Sequence, residues 1–191
     1  IKVGSVDLRL SPDARSGRLK FKDPEDISAA VEALYSQLLL DQEGVLVRAW
    51  LVDYQGKGHV LFGSGSERAV GRRPDGARIR SRGVVAIRVV DGNVVADPTP
   101  FNGESLAGEP AGSTSAGGGA EQSGTVVSPL GAPCAALYRL DVFGPDRNDS
   151  LSPRESLRVL LEDLVFHDDD AEAAGRLLDM VLEVVAVVRV S

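Results

Sequence analysis

The strongest constraint in this sequence is a pair of β-hairpins written one after the other. Val45 to Tyr54 is a continuous apolar run with β-branched and aromatic members, which reads as a strand buried on at least one face. Gln55-Gly56-Lys57-Gly58 supplies turn chemistry, and His59 to Phe62 returns as the second strand. Gly83 to Val90, the dipeptide Asp91-Gly92 and Asn93 to Ala96 repeat the plan, with Asp-Gly suited to a turn that needs positive φ. Asp97-Pro98-Thr99-Pro100 then ends the pairing, because proline has no N–H to give to a ladder. Adjacent hairpins make an antiparallel sheet, and they argue against a doubly wound parallel one.

Around the hairpins the period changes. Val3 to Leu10 alternates Val6, Leu8 and Leu10 with Asp7 and Arg9, and Arg18 to Lys22 offers a short second strand. Asp23 as N-cap, Pro24 at the first helical position and Glu25 and Asp26 at the positive end of the dipole open a helix to about Leu40. Ile27, Val31, Leu34 and Leu38 share its apolar face. Cys134 to Phe143 reads as a strand. Ser152-Pro153-Arg154-Glu155 is a capping box that starts a helix through Leu157, Leu160, Leu161 and Leu164. A second helical segment runs from Ala171 to about Leu182, and β-branched Val184 to Val190 reads as a closing strand. The expected fold is α+β: a mostly antiparallel sheet of hairpins against two or three helices, in one domain over residues 1–191.

Two regions fall outside this pattern. Gly63 to Arg82 is rich in Gly and Arg with little apolar periodicity and reads as a loop. Residues 102–125 are Gly, Ser, Ala, Thr and Glu around Gly117-Gly118-Gly119, with Leu106 the only large aliphatic side chain. Ordering such a stretch costs roughly 1–2 kcal/mol per residue and buries little in return, so a flexible internal loop or linker is expected.

Composition removes several classes of function. A chain of 191 residues that is 43% apolar can bury a core. Its one cysteine excludes an intramolecular disulfide framework and a zinc site built on several thiolates, and favours the cytoplasm or another reducing compartment. The most apolar C-terminal stretch, Leu177 to Val190, is broken by Asp179, Glu183 and Arg189 and is shorter than the roughly 20 residues of a bilayer span, so no membrane role is expected.

The formal charge of −7 is unevenly divided. Residues 1–100 hold 15 basic and 13 acidic side chains, whereas residues 101–191 hold 6 and 15. Arg68, Arg72, Arg73, Arg78, Arg80, Arg82 and Arg88 are opposed within their stretch only by Asp75. The first six of these are the candidate polyanion-binding residues, able to neutralise nucleic-acid phosphates. Against that reading, the chain is acidic overall and no aromatic side chain is interleaved among them for base stacking. Trp50 and Tyr54, on one face of their strand with Val52, read as core residues or interface anchors in preference to ligand-stacking residues.

No catalytic constellation emerges. Gly63-Ser64-Gly65 lacks the third glycine of a dinucleotide loop, where Arg68 stands, and the Gly-Lys-Ser/Thr end of a P-loop. Cys134, between Pro133 and two alanines, is placed like a small buried thiol rather than a partner for His59 or His167. His167 with Asp168, Asp169 and Asp170 offers oxygen ligands, but on consecutive positions that point apart. Glu32, Glu43, Glu155 and Glu162 read as solvated helix faces. Asn148-Asp149-Ser150 matches a glycosylation acceptor that matters only in a secreted protein. No cofactor, metal ligand or catalytic residue is assigned.

In element order alone, the plan of helix, hairpins, strand, helix and closing strand resembles subunits that join rings in phage tails, which implies an assembly role. The leading expectation is a non-enzymatic adaptor or assembly subunit with a protein partner or further copies of itself. A nucleic-acid or polyanion module using residues 68–88 is the alternative, and an enzyme with a site invisible in sequence the third. Strand edges able to pair across subunits also favour the first.

Overall fold

The structure, a computed structural model, describes residues 2–3, 6–11, 16–20, 22–23, 26–99, 101, 131–140, 150–166 and 171–190. Both hairpins form. β4 (Gly44–Tyr54) pairs with β5 (Lys57–Phe62), and β6 (Arg78–Val90) pairs with β7 (Asn93–Pro98). Each turn is a two-residue one with both central φ angles positive: 55° and 74° at Gln55-Gly56, 51° and 72° at Asp91-Gly92. Such turns match the right-handed twist of the strands they join. The first is thus tighter than the four-residue turn expected, since Lys57 already pairs with Tyr54.

The long antiparallel pairing of β4 with β6 joins the hairpins, and β8 (Ala132–Arg139) closes the ring in the order β4-β5-β8-β7-β6. β8 is antiparallel to β7 but parallel to β5, the one parallel pair of this barrel. Alternation then sorts the side chains. Val47, Ala49, Leu51, Val60, Phe62, Val85, Ile87 and Leu137 fill the interior and are almost wholly buried. Helices α3 (Pro153–Asp163) and α4 (Ala171–Val187) add Leu160, Leu177, Val181 and Val184 to the same cluster. The expected capping box is present at Ser152: its hydroxyl accepts from the Glu155 N–H, and the Glu155 carboxylate accepts from the Ser152 N–H. The Ser152 hydroxyl also donates to the Glu155 carboxylate, and this bond, with the Ser152 N–H bond second, holds the Glu155 carboxyl below its ordinary value.

The other face of the barrel wall is covered unevenly. Helix α1 (Asp26–Leu40) follows a small antiparallel sheet of β1 (Lys2–Val3), β2 (Val6–Leu10) and β3 (Gly17–Lys20). From α1, Tyr35 and Leu39 cover Leu46, Val84 and Ala86 on the outer side of β4 and β6, with Val165 and Phe101 completing a second core. Tyr35 meets Phe101 edge-on at 5.4 Å.

Three expectations require correction. Gly63 to Arg82 is not a loop: it contains helix α2 (Ser66–Gly71) and the first residues of β6. The expected closing strand at Val184 to Val190 is helical to Val187, and Val190 makes only an isolated bridge to Leu137. Ala173, Leu177, Val181 and Val184 lie on one helical face buried against the barrel, and this tertiary burial outweighs the β-preference of valine. The element order said to resemble ring-joining subunits therefore loses its final strand. Finally, a closed barrel has no free edges, so edge pairing remains open only to the small sheet of β1 to β3. Residues 102–125, His167 to Asp170, and Asn148-Asp149 lie outside the described residues. No helix among the described residues is long and apolar enough to cross a membrane.

Candidate functional site

Beyond the part covered by α1, the outer face of the barrel changes chemistry. Arg48 is exposed on β4, and after it come Trp50 and Tyr54, both half-buried. Register places Arg82, Trp50, Leu61 and Tyr138 in one row across β6, β4, β5 and β8. At the usual interstrand spacing this row is about 14 Å long. The Arg82 guanidinium lies over the Trp50 ring, 4.5 Å from its centroid. Beside the row, His59 stacks on Tyr138 at 6.0 Å and meets Tyr54 at 6.3 Å in a tilted arrangement.

Helix α2 walls this face on one side. It is placed by the turn Gly63-Ser64-Gly65, which is tied to the strand end through its backbone. The Gly65 N–H donates to Leu140 O at 2.7 Å, and the Leu140 N–H donates to Phe62 O. Gly63 has φ of 85°, and a Cβ there would lie 2.7 Å from the Leu140 carbonyl oxygen, so glycine is required by both conformation and space. This segment is a strand-to-helix connection.

Between α2 and the sheet lies a cleft of about 260 Å³ with mostly apolar walls. Val52, Tyr54, His59, Leu61 and Tyr138 form its floor, Ala69 and Val70 come from α2, and Arg72, Arg73, Pro74 and Ala77 form the rim. Its volume is below the roughly 300–1,000 Å³ typical of small-molecule pockets, so it suits a single ring or side chain. His59 is held below its ordinary pKa, first by burial and then by the Lys57 charge, with Asp53 opposing. The floor of the cleft is therefore aromatic and uncharged at neutral pH, and the positive charge sits on the rim.

The six candidate arginines are divided by the fold. Arg68, Arg72 and Arg73 belong to α2 and its C-terminal turn, and Arg78, Arg80 and Arg82 to β6. Arg72 and Arg73 line the cleft and Arg82 joins the aromatic row, while Arg68 is exposed on α2 away from the lining residues. Arg73 is braced by donating to the Val70 and Ala77 carbonyls. Arg80 stands 3.9 Å from Asp53, which partly neutralises it. Arg88, from the same sequence cluster, is committed elsewhere in an ion pair with Asp97 at 2.7 Å. Among the described residues, Arg68, Arg72, Arg73 and Arg78 form no ion pair.

Sequence reasoning missed Leu61 and Tyr138 as members of this face and weighed His59 only as a partner for Cys134. The strand from Cys134 that carries Tyr138 was legible, but the parallel pairing that sets Tyr138 beside His59 was not. Cys134 itself is partly buried against the core, and burial pushes its thiol up to about 12, far from a nucleophile at neutral pH. Among the described residues, no group of three or more His, Cys, Asp and Glu side chains could hold a metal ion. The chain matches no protein-family model, and a search among curated proteins finds no match.

Proposed function

We propose that this chain is a non-enzymatic adaptor module that acts by binding, with the cleft and its arginine rim as the contact face for an anionic partner. One observation carries the reading: Arg72, Arg73 and Arg82 stand around a half-buried aromatic surface that α1 leaves uncovered. Arginine beside aromatic rings combines long-range attraction with desolvated contact area, and such residues dominate the energy of binding surfaces. The aromatic side chains missing from the arginine stretch in sequence are supplied by β4, β5 and β8. This answers the objection from missing aromatics, while the formal charge of −7 still stands against the polyanion reading. A reducing compartment such as the cytoplasm belongs to the same proposal and rests on the single cysteine alone.

The test is retention on heparin as the charge probe. Wild-type protein is retained at low salt and released as salt rises, and Arg72→Glu/Arg73→Glu is not retained. Flow-through of the folded wild type at low salt would overturn the reading.

A second contact surface is favoured by a separate observation. On α4, Leu178, Leu182 and Val187 are 43%, 50% and 48% exposed, a large apolar outlay for one helix. This supports the homo-oligomer part of the adaptor reading. Light scattering on the eluting protein checks it, with Leu182→Glu expected to shift any oligomer to monomer.

A further inference from the structure

Resting on the anionic-partner reading, we infer that the ligand of this face is single-stranded nucleic acid, with bases stacked along the Trp50–Tyr138 row and phosphates held by Arg72 and Arg73. Every base has a π-face, so an aromatic platform binds single strands with little regard to sequence. Here the platform has two parts. Arg82 on Trp50 offers a guanidinium plane for stacking, and Tyr138 with His59 offers a second surface across Leu61.

The dimensions agree with this ligand. A row about 14 Å long spans a few nucleotides. The 260 Å³ cleft beside it admits one ring. A duplex presents its phosphates outward and keeps its bases stacked within, so it can engage the rim but not the row. An acidic peptide likewise answers the rim but leaves the aromatic row without planar partners.

The chain's single tryptophan makes the distinction measurable on the unmodified protein. A short oligothymidylate is titrated into the full chain while Trp50 emission is followed, with the matched duplex, heparin and poly-glutamate as comparison probes. The inference expects strong quenching by oligothymidylate and little change with the other three. Tyr138→Ala, with its melting curve confirming a folded chain, should weaken oligothymidylate binding by roughly 5- to 150-fold and leave heparin retention intact. Arg72→Ala/Arg73→Ala should lower the salt slope by about 1.4, as for two phosphate contacts on a single strand.

The failures separate. If heparin is retained through Arg72 and Arg73 but oligothymidylate neither quenches Trp50 nor depends on Tyr138, the nucleic-acid inference falls and the anionic-partner reading stands. If poly-glutamate binds as tightly as oligothymidylate with the same quenching, the partner is an acidic protein segment and the inference falls. If no anionic probe binds, both fall together.

Discussion

Strands β4 and β6 present two different surfaces along the same outer face. In one part, Leu46, Val84 and Ala86 lie under Tyr35 and Leu39 of α1, and Leu46 is only 1% exposed. In the other, Arg48, Trp50 and Arg82 continue the same alternation with no helix of comparable length above them among the described residues. The backbone pairing is continuous across both. What changes is the side chains: aliphatic where the chain covers its own sheet, aromatic and cationic where it does not. An aliphatic surface left in water is costly, whereas tryptophan, tyrosine and arginine tolerate partial exposure and keep a polar end. The first part is finished by the fold, and the second is proposed to be finished by a ligand.

Substitutions should separate the two parts, and the largest effect belongs to the covered one. Leu46→Ala removes a fully buried side chain and should cost about 2–5 kcal/mol in urea unfolding. Trp50 quenching by oligothymidylate should persist in the molecules that remain folded. Gly63→Ala puts a β-carbon against the Leu140 carbonyl at a positive φ, and about 1–3 kcal/mol of stability should be lost. It should also loosen α2 and so weaken binding at the cleft, unlike Leu46→Ala. Arg72→Glu/Arg73→Glu is the mirror case: stability should fall by only about 1–2 kcal/mol, from the two carbonyl hydrogen bonds Arg73 gives up, while heparin retention disappears.

Smaller effects concern titration. His59 has a lower pKa folded than unfolded, so the unfolded chain takes up the proton first as pH falls. Its neutral form therefore supports the fold fully above about 6.5, and that support is lost as pH falls through 6.5 toward the lowered folded value. Urea midpoints of wild type should decline through that window more than those of His59→Phe. The smallest expected signal is at Cys134, whose thiol at about 12 should stay unreactive toward a disulfide reagent until the chain unfolds.

Local chemistry accounts for what was legible in advance. Gly56 and Asp91-Gly92 announce turns that need positive φ, and the Ser152–Glu155 box announces a helix start, because each depends on residues a few positions apart. The helix at Val184–Val187 was misread because its valines favour strands locally, and only burial against the barrel decides otherwise. The candidate site divides the same way. Trp50 and Tyr54 were identified on their strand, and the arginines by their density. Their meeting with His59 and Tyr138 depends on β8 returning parallel to β5 from far along the chain.

The sequence by itself determined two hairpins, three of the four helices, an α+β composition and a concentration of arginine, all consequences of short-range periodicity and turn preference. Only the tertiary structure decided that the hairpins close into a barrel, that the presumed loop 63–82 holds α2 and the first residues of β6, and which arginines face aromatic rings. Ring closure and face coverage are set by contacts between distant segments. Their free energy comes from burying surfaces together, and no local pattern encodes which surfaces will meet.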